Sequence, residues 1–599
     1  MSTMLALRAG SSALALLAGV LASAPAVGQM SIGSTTGILP PADPTESLLL
    51  GEDLTAFRAS WLVPVTEQQR IWRDDTVARA GQATSGGVPP DFTTAVIDAS
   101  IAQAAALRWA MGDDAGDLAK AIDVLLVLEV PWGTQITRTE VMTSYLCAYD
   151  YVRGADPVEL PQAVRDLIEG RLLSQAESLT TGFTASNARA KVGATRALAG
   201  VLLRDQTLLD RGLGDLQAHF DYSTTDDGWF TDSQGHYLNY TLSHLAPFLR
   251  AYERGSGVDL YPNLAPYAEM SIGLRMPGGR VPNVSNGTNT PVAVHLFSQT
   301  PDPQTAGRLM WNLTDGVPAA YVWTTTNVLN NDWHYTSFFG LTDFANVPPA
   351  APPVWTSFFA RGQSKVTVLR RDWSEGSDWL CLSPGIDSPA GLLGIPAFHS
   401  HNDTLELLVC AKGEYLLVAP GYARDDLSNS PPGFTPRRAD WHNVLLVDGD
   451  VGAGEQGRKM RPGDFDYAPP VFGAVGGSAS ATLSTHYRST DVSRSVSFPG
   501  NDHFVVRDTL NSSSVHEYGL NLVGRGTLTI LVETPELIRV RWAVNGHRAT
   551  VTVTASEPLR LETASLWMHD TYNVFEPTQR MTAILDGADA QFLTVITTR

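Results

Sequence analysis

Apolar residues recur at three- and four-residue steps from Glu46 to about Asn330, with Gly, Pro or Asp at the breaks. This spacing puts the apolar side chains on one face of a helix. The predicted helices are Thr93–Met111, Asp117–Leu128, Arg138–Arg153, Leu160–Leu179, Asn187–Arg204, Thr207–Phe220 and His236–Glu253. A succession of helices with almost no strand-like run predicts an α/α toroid or an α-solenoid. The absence of a fixed-period sequence repeat weighs against the solenoid families with a strong consensus.

After a Pro-rich stretch at residues 347–353 the pattern changes to short apolar runs between turns. The predicted strands include Lys365–Arg371, Trp379–Leu382, Thr404–Cys410, Glu414–Ala419, Val444–Val447, Ser493–Phe498, Phe504–Asp508, Tyr518–Val523, Leu528–Val532, Ile538–Ala543 and Ala549–Thr554. Many short strands with frequent turns are typical of an antiparallel sandwich. We therefore predict an α+β multidomain chain, with an N-terminal α/α toroid (incomplete barrel) over residues 46–345 and a C-terminal antiparallel β-sandwich over residues 354–599.

The first 28 residues have the features of a secretory signal peptide. Arg8 is their only charge, an apolar run follows from Ala13 to Ala24, and small residues offer a cleavage site. The run is short for a membrane span, so an uncleaved anchor is the less favoured alternative. Residues 29–45 are rich in Gly, Pro, Ser and Thr and predict a linker. We expect a secreted or periplasmic protein with no membrane span after signal removal.

The amino-acid composition limits the classes of molecule that the protein is expected to bind. The 599 residues are 43% hydrophobic and carry a formal net charge of −20, so nucleic-acid binding is not expected. A polyanionic substrate would need a locally basic cleft. The three cysteines, Cys147, Cys381 and Cys410, are too few and too widely spaced for a disulfide framework or a cysteine metal cluster. The sequence leaves undecided whether two of these cysteines form one disulfide.

Two stretches of the helical half carry candidate chemistry. His236 and Tyr240 are four residues apart at the start of a predicted helix and so share one face of it. Asn187 opens another helix, followed by Arg189, and together they can bind a carboxylate. The structural alternatives are a tyrosine that packs with its hydroxyl at the rim and an asparagine that caps a helix.

A third stretch lies in the sandwich half. His399 and His401 precede one predicted strand, in the sequence FHSHNDTLEL, and His442 precedes another, in WHNVLLVDG. Polar residues in the segments that connect strands are a common source of site residues. The turns themselves account for the nearby Asn and Asp residues, but they account less well for two histidines before one strand.

These stretches resemble parts of the heparinase II/III-type polysaccharide lyases. His401-Asn402-Asp403 with its hairpin, and His442-Asn443 before Val447-Asp448-Gly449, resemble the C-terminal domain of that family. Residues 239–252 resemble its catalytic-tyrosine helix, with Tyr240 at the tyrosine position, and Asn187 falls at the carboxylate-neutralising position. The likeness covers most of the chain after about residue 90 and is most specific over residues 398–449. Hyaluronate and chondroitin lyases share a looser likeness.

The resemblance implies β-elimination at the uronic acid of an anionic polysaccharide, such as alginate or a glycosaminoglycan. Asn187 and Arg189 would neutralise the carboxylate, because removal of the C5 proton adds negative charge beside it. Tyr240 would act as base, acid or both, and His236 and His401 compete for the remaining proton-transfer role. His442 would bind substrate. The sequence does not decide the polymer, endo or exo action, or oligomeric state.

Two departures from the family pattern affect these expectations. Some members have His directly after the Asn, where this chain has Ala188. Some bind a structural zinc through two His and an Asp, and His401 and His442 match the two His. The expected Asp position is Ala419, although Asp403 can substitute. We expect no firmly bound metal cofactor, and zinc at His401 and His442 remains open.

Two other functions fit the same residues. A glycoside hydrolase on an α/α toroid would need two opposed carboxyl groups, for which Asp226, Asp227 and Asp232 are available. A non-catalytic glycan-binding protein would keep the scaffold without the reaction.

Overall fold

The computed structural model describes most of both halves of the chain. The described residues are 32, 34, 36–40, 46–51, 54–64, 67–112, 114–129, 135–181, 187–230, 236–283, 311, 352–360, 362–385, 401–421, 430–451, 466–472, 479–571 and 574–599. The predicted signal peptide, most of the predicted linker, His399 and residues 347–351 of the predicted domain boundary lie outside them. The signal peptide, linker and exact domain limits therefore stay predictions.

The first half of the described chain is helical. Its helices are α1 (Leu54–Leu62), α2 (Glu67–Ala80), α3 (Phe92–Ala110), α4 (Gly116–Val127), α5 (Gln135–Val152), α6 (Gln162–Ser178), α7 (Asn187–Leu203), α8 (Gln206–Ser223), α9 (His236–Ser256) and α10 (Ala265–Leu274). The seven predicted helices are all present, with ends that differ by a few residues. In the described part of the chain, no helix is long and apolar enough to cross a membrane.

Helix α7 is buried along nearly its whole length. Fifteen of its residues are buried, including the charged Lys191 and Arg196. Small residues let its neighbours approach closely, since Gly193 and Gly200 lie against the backbone of α8. Asp205 caps the next helix by accepting a hydrogen bond from the Leu208 backbone N–H at 2.8 Å. Helix α7 also packs against α5, α6 and α9.

The second half of the described chain is antiparallel sheet. Its strands are β1 (Phe358–Phe359), β2 (Thr367–Arg370), β3 (Trp379–Ser383), β4 (Glu406–Ala411), β5 (Glu414–Leu417), β6 (Leu445–Val447), β7 (Asp466–Phe472), β8 (Ala479–Tyr487), β9 (Thr490–Ser497), β10 (His503–Arg525), β11 (Thr527–Thr534), β12 (Leu537–Val544), β13 (His547–Ala555), β14 (Arg560–Thr571) and β15 (Val574–Thr598). The predicted segments Phe504–Asp508 and Tyr518–Val523 belong to one long strand, β10.

Two long strands, β10 and β15, run through both layers of the sandwich. They pair with each other along most of their length, with a register shift between Asn511 and His516. On one side of the shift they continue into β8, β9 and β11–β13. On the other side they continue into β1–β6 and β14. The sandwich core lies between these two layers.

Strands β2–β4 are buried on both faces. Leu380 and Leu382 belong to the sandwich core, whereas Trp379 and Cys381 belong to the core of the helical domain. One face of these strands packs against the helices and the other packs against the opposite sheet. Both faces therefore need apolar side chains, which explains the continuous apolar runs in the sequence. The two domains are therefore packed together through this layer.

The fold class predicted from the sequence is confirmed: a helical toroid is followed by an antiparallel β-sandwich. The structure also decides whether two of the cysteines form a disulfide, which the sequence left undecided. Cys147, Cys381 and Cys410 are all buried free thiols.

Candidate active site

Asn187 is the first residue of α7 and is only 3% exposed. It follows the segment 182–186, which is outside the described residues, so the chain enters the helix at this amide. A position at a helix start exposes backbone N–H groups and the positive end of the helix dipole toward whatever lies there. This environment suits an anionic group such as a sugar carboxylate.

One turn beyond Asn187 lies a group of buried ionisable side chains, here called the Lys191 cluster: Glu140 on α5, Lys191 on α7 and His244 on α9. The Lys191 Nζ is 3.4 Å from the Glu140 Oε1, and both side chains are almost fully buried. Burial and, secondarily, the Lys191 charge hold the pKa of His244 well below its usual value. The imidazole is therefore neutral at pH 7.

Burial also raises the pKa of Glu140, against the opposing effect of Lys191. A buried charged pair is costly in a purely structural role, and perturbed ionisable groups concentrate at functional sites. Sequence reasoning missed this cluster. The signal that could have found it is spacing, because Lys191 follows Asn187 by four residues and His244 follows Tyr240 by four, each pair on one helix face.

Helix α9 begins at His236, as predicted, and contains Tyr240 within its second turn. The side chains of both residues lie outside what the structure describes. Their backbone positions place residues 236, 240 and 244 along one line of the helix. Of these three residues, His244 is the one whose side chain the structure describes. It is 1% exposed, and the positive charge of Lys191 contributes to lowering its pKa.

Arg189 lies on a different side of α7 from Asn187, since two residues correspond to about 200° of helical rotation. Its Nε is 3.3 Å from the Asp215 Oδ1 on α8, and Asp215 also accepts a 2.6 Å hydrogen bond from Arg196. On the side of α7 that carries Asn187, the structure instead describes Lys191 as a cation. Arg189 as a carboxylate-binding residue stays a prediction that no observation tests.

His401 and His442 lie close together on the sandwich. Their ring centroids are 5.1 Å apart in an edge-to-face arrangement, and both side chains are buried. The His442 Nδ1 is 2.7 Å from the Glu406 Oε1, and its Nε2 is 2.8 Å from the Pro436 carbonyl oxygen. Glu406 raises the pKa of His442 even though burial opposes this. The neighbouring carboxylate thus favours a protonated imidazole.

The same residues fit a divalent metal. Ligand atoms of Asp403, Glu406 and His442 all lie within 4.8 Å of one another, and all three residues are buried. The Glu406 Oε2 has no hydrogen-bond partner in the described structure. An imidazole that binds metal through one nitrogen commonly gives the other N–H to a carbonyl, as the Pro436 contact allows. Glu406 thus supplies the carboxylate that the sequence comparison sought at Ala419.

The acidic residues considered for a hydrolase have structural contacts. Asp227 accepts hydrogen bonds from the Ser364 backbone N–H and hydroxyl, and Asp226 accepts one from the Gln363 N–H. Burial raises the pKa of Asp227. These two carboxyl groups join the domains. Asp232 lies outside the described residues.

Solved structures with the same fold are polysaccharide lyases. A heparinase III matches with a TM-score of 0.59 at 13% identity, over 91% of this chain and 89% of that chain. A second heparinase III matches at 0.59 and 12% identity, over 98% of this chain and 88% of that one. A mutant heparan sulfate lyase HepC from Pedobacter heparinus matches at 0.57 and 13%, over 91% and 87%.

No protein-family model matches the sequence, and no curated protein matches it. At these identities the comparison shows the fold: the chain has the heparinase-like polysaccharide lyase architecture, a toroid followed by a sandwich.

Proposed function

We propose that the protein is a polysaccharide lyase that cleaves a uronic-acid-containing polysaccharide by β-elimination and leaves unsaturated uronate ends. The observation that carries the proposal is the Lys191 cluster. It lies one turn below Asn187 on α7 and one turn below Tyr240 on α9, and its charge acts across these two helices. The heparinase-like fold supports the same conclusion.

The reaction must remove a weakly acidic proton from C5 of the sugar. The adjacent carboxylate resists further negative charge, so its neutralisation is the central requirement. Asn187 would donate a hydrogen bond to that carboxylate from the buried start of α7. Lys191 would add positive charge beneath the same face, where low polarity strengthens electrostatic interactions.

Tyr240 would transfer the protons, to the leaving oxygen as acid, from C5 as base, or both. A tyrosinate at neutral pH needs a nearby cation because the unperturbed pKa is about 10. Lys191 is the cation that the described structure offers near this part of α9, as its effect on His244 indicates. His236 and His401 remain the candidates for a second proton-transfer group, and Arg189 and His442 for substrate binding.

A metal at Asp403, Glu406 and His442 would have a structural role in this proposal. When bound, it would neutralise the two carboxylates and link the start of β4 to the segment before β6. The elimination itself would be carried by Asn187, Tyr240 and the second proton-transfer group, and not by the metal.

The proposed partner is an anionic glycan, with a glycosaminoglycan or alginate as the substrate class. A chain with a net charge of −20 repels such a polymer overall, so binding requires local positive potential in the cleft. Secretion or export to the periplasm, proposed from the N-terminal sequence, would give the enzyme access to such polymers.

The test is a panel of uronate polysaccharides incubated with the purified protein, with ultraviolet absorbance as the measure of unsaturated product. We expect one class to give new absorbance. Tyr240→Phe should lower the rate about 10²–10⁴-fold, because the phenolic proton is lost while the ring is kept. Tyr222→Phe on α8 is the matched control and should retain the rate of the original protein.

Asn187→Ala should lower kcat/KM on the same substrate. A correctly folded protein that is inactive on the whole panel, or a Tyr240→Phe variant as active as the original, would refute the elimination. Binding without cleavage would instead identify a glycan-binding protein.

A further inference from the structure

Two opposite charges face the inside of the β-sandwich, where the strand pattern calls for apolar side chains. On β9 the inward-facing positions include Val492, Arg494 and Val496, and Arg494 is fully buried. Its direct cross-strand partner on β10 is Asp508, which is 1% exposed. A buried ion pair often stabilises a fold no more than well-packed apolar residues of similar volume. We therefore expect this pair to have a role beyond stability.

Arg494 makes four hydrogen bonds, two within the pair and two outside it. Its Nε and Nη2 donate to the two carboxylate oxygens of Asp508, at 2.6 Å and 3.2 Å. Its Nη1 donates to the Leu405 carbonyl oxygen at 2.7 Å and to the Asn443 carbonyl oxygen at 3.0 Å. The guanidinium is planar, so the directions of these bonds are fixed relative to one another. Arg494 thus connects strands β9 and β10 to two segments that are distant in the sequence.

Both carbonyl groups belong to residues beside the candidate metal ligands. Leu405 lies between Asp403 and Glu406, and Asn443 directly follows His442. The ligand atoms of these two segments lie within 4.8 Å of one another. A guanidinium that binds one carbonyl oxygen from each segment therefore helps to fix the spacing of the ligands.

The backbone of Leu405 adopts a conformation that needs support from its surroundings. Its φ is 59°, in the left-handed region, which is uncommon for a leucine. Such conformations persist where neighbouring groups hold them in place. The Leu405 N–H donates to the Pro384 carbonyl oxygen at 3.2 Å, and Arg494 binds the Leu405 carbonyl oxygen. These contacts stabilise the turn in which the Glu406 N–H donates to the Asp403 carbonyl oxygen at 3.0 Å.

Asn443 reinforces the connection between the two segments. Its carbonyl oxygen accepts from the Leu407 N–H at 3.1 Å as well as from Arg494, which joins the segment before β6 to β4. Its side chain donates to the Val418 carbonyl oxygen at 2.9 Å and accepts from the Val523 N–H at 2.7 Å. The segment before β6 is therefore anchored both on the sheet and on the start of β4.

We propose that Arg494 is a positioning residue that, together with Asp508, holds Asp403, Glu406 and His442 in an arrangement that suits a divalent metal. Removal of groups that orient metal ligands through hydrogen bonds typically weakens metal binding by about 10–100-fold. A preformed arrangement also lowers the cost of ordering the ligands when an ion binds. This role depends on the metal site described above and not on the elimination, because zinc binding is measured without substrate.

The first experiment measures the affinity of the metal-free protein for zinc by competition with a chromophoric chelator. Arg494→Met alone would leave the Asp508 carboxylate buried without its partner. The double variant Arg494→Met with Asp508→Leu removes both charges and keeps an apolar core, so its Tm should stay close to that of the original protein. We expect it to bind zinc about 10–100-fold more weakly. Unchanged zinc affinity in this variant would overturn the proposal.

Two further variants locate the effect. Glu406→Gln removes a ligand carboxylate and should weaken zinc binding at least as much as the double variant. If it binds zinc like the original protein, the ion is bound elsewhere and the proposal fails. Ile596→Ala is the matched control, since it removes a fully buried apolar side chain of the same core and should lower the Tm while it keeps the zinc affinity. An equal loss of zinc affinity in Ile596→Ala would show that lower stability, and not the loss of the Arg494 hydrogen bonds, weakens binding.

Arg494→Lys gives a test that does not need the double variant. Lysine can keep the charge pair with Asp508, but its single nitrogen cannot replace a guanidinium that binds two carbonyl oxygens as well. We expect a zinc affinity between those of the original protein and the double variant. If the double variant does not fold, this titration decides, and an original affinity in Arg494→Lys would overturn the proposal. A protein that shows these zinc affinities but cleaves no polysaccharide would support the role of Arg494 and still refute the elimination.

Discussion

At the scale of single residues, the helical domain buries ionisable side chains whose charged forms are disfavoured by their surroundings. His244, Lys191 and Glu140 are each 1% exposed or less. Lysine loses its proton readily when buried, and a carboxyl gains one, so close pairing is what allows both to stay charged. His244 has a lowered pKa because its protonated form would face both desolvation and the Lys191 charge. These residues should therefore control the response of the toroid to acid.

This lowered pKa predicts the direction of a pH effect. The unfolded chain takes up a proton at its imidazole below about pH 6.5, whereas folded His244 resists it. The stability that His244 contributes is thus complete above pH 6.5 and is lost as the pH falls toward the folded-state pKa. The loss approaches about 1.4 kcal/mol per pH unit for this group.

The measurement is the free energy of unfolding by denaturant at pH 7.5 and pH 5.5. We expect His244→Gln to lose less stability between these values than the original protein. His486→Gln, which removes a histidine whose side chain is 66% exposed, should leave the pH dependence nearly unchanged. Equal pH dependence in His244→Gln and the original protein would mean that folding does not shift the pKa of His244.

At the scale of elements, the contact between α7 and α8 sets where Asn187 and Lys191 lie. A Cβ atom at Gly212 would come within 2.5 Å of the Ala197 backbone nitrogen, and a Cβ at Gly200 within 2.4 Å of the Leu209 nitrogen. These contacts involve backbone, which cannot move aside as a flexible side chain would. The glycines therefore fix the close approach of the two helices.

A pair of alanine substitutions on one helix tests this packing. Gly212→Ala should lower the free energy of unfolding by about 1–3 kcal/mol, because the added methyl group overpacks the interface. Gly214→Ala, two residues along α8, meets no atom within 4 Å and should be neutral or stabilising by up to about 1 kcal/mol. Chemical denaturation measures both. A loss in Gly214→Ala as large as that in Gly212→Ala would show that the close contact between α7 and α8 is not the reason why Gly212 is needed.

The sequence predicted these helices well because each has an apolar face of helical period and a polar or Gly-containing break. It also predicted that Asn187 and His236 open helices, which the structure confirms. The role of Lys191 was not visible because a lysine at helical spacing is normally solvated. Only the packing of α5, α7 and α9 around it shows that it is buried beside Glu140. Likewise, Glu406 lies in an apolar run and its contact with His442 depends on a strand and a loop far apart in sequence.

At the scale of the whole molecule, the two domains meet through a few buried polar contacts set in an apolar surface. Asn283 is fully buried. Its Nδ2 donates to the Ala419 carbonyl oxygen at 3.0 Å, and its Oδ1 accepts from the Tyr415 hydroxyl at 2.9 Å. That hydroxyl in turn accepts from the Ala419 N–H. One side chain from the helical domain thus completes the hydrogen bonding of a sandwich hairpin.

These contacts make the docking of the domains sensitive to a single amide. Asn283→Ala would leave the Tyr415 hydroxyl and the Ala419 carbonyl buried with fewer partners, at a cost of about 1–3 kcal/mol. Because both groups lie at the junction, the loss should weaken docking more than the fold of either domain.

We expect Asn283→Ala to unfold in two separated steps, or at a lower Tm, and to be cleaved faster between the domains by a protease. Asn511→Ala is the matched control, since Asn511 is an exposed residue of β10 away from the junction. A single cooperative transition at the original Tm in Asn283→Ala would show that the Asn283 hydrogen bonds do not control the docking of the domains.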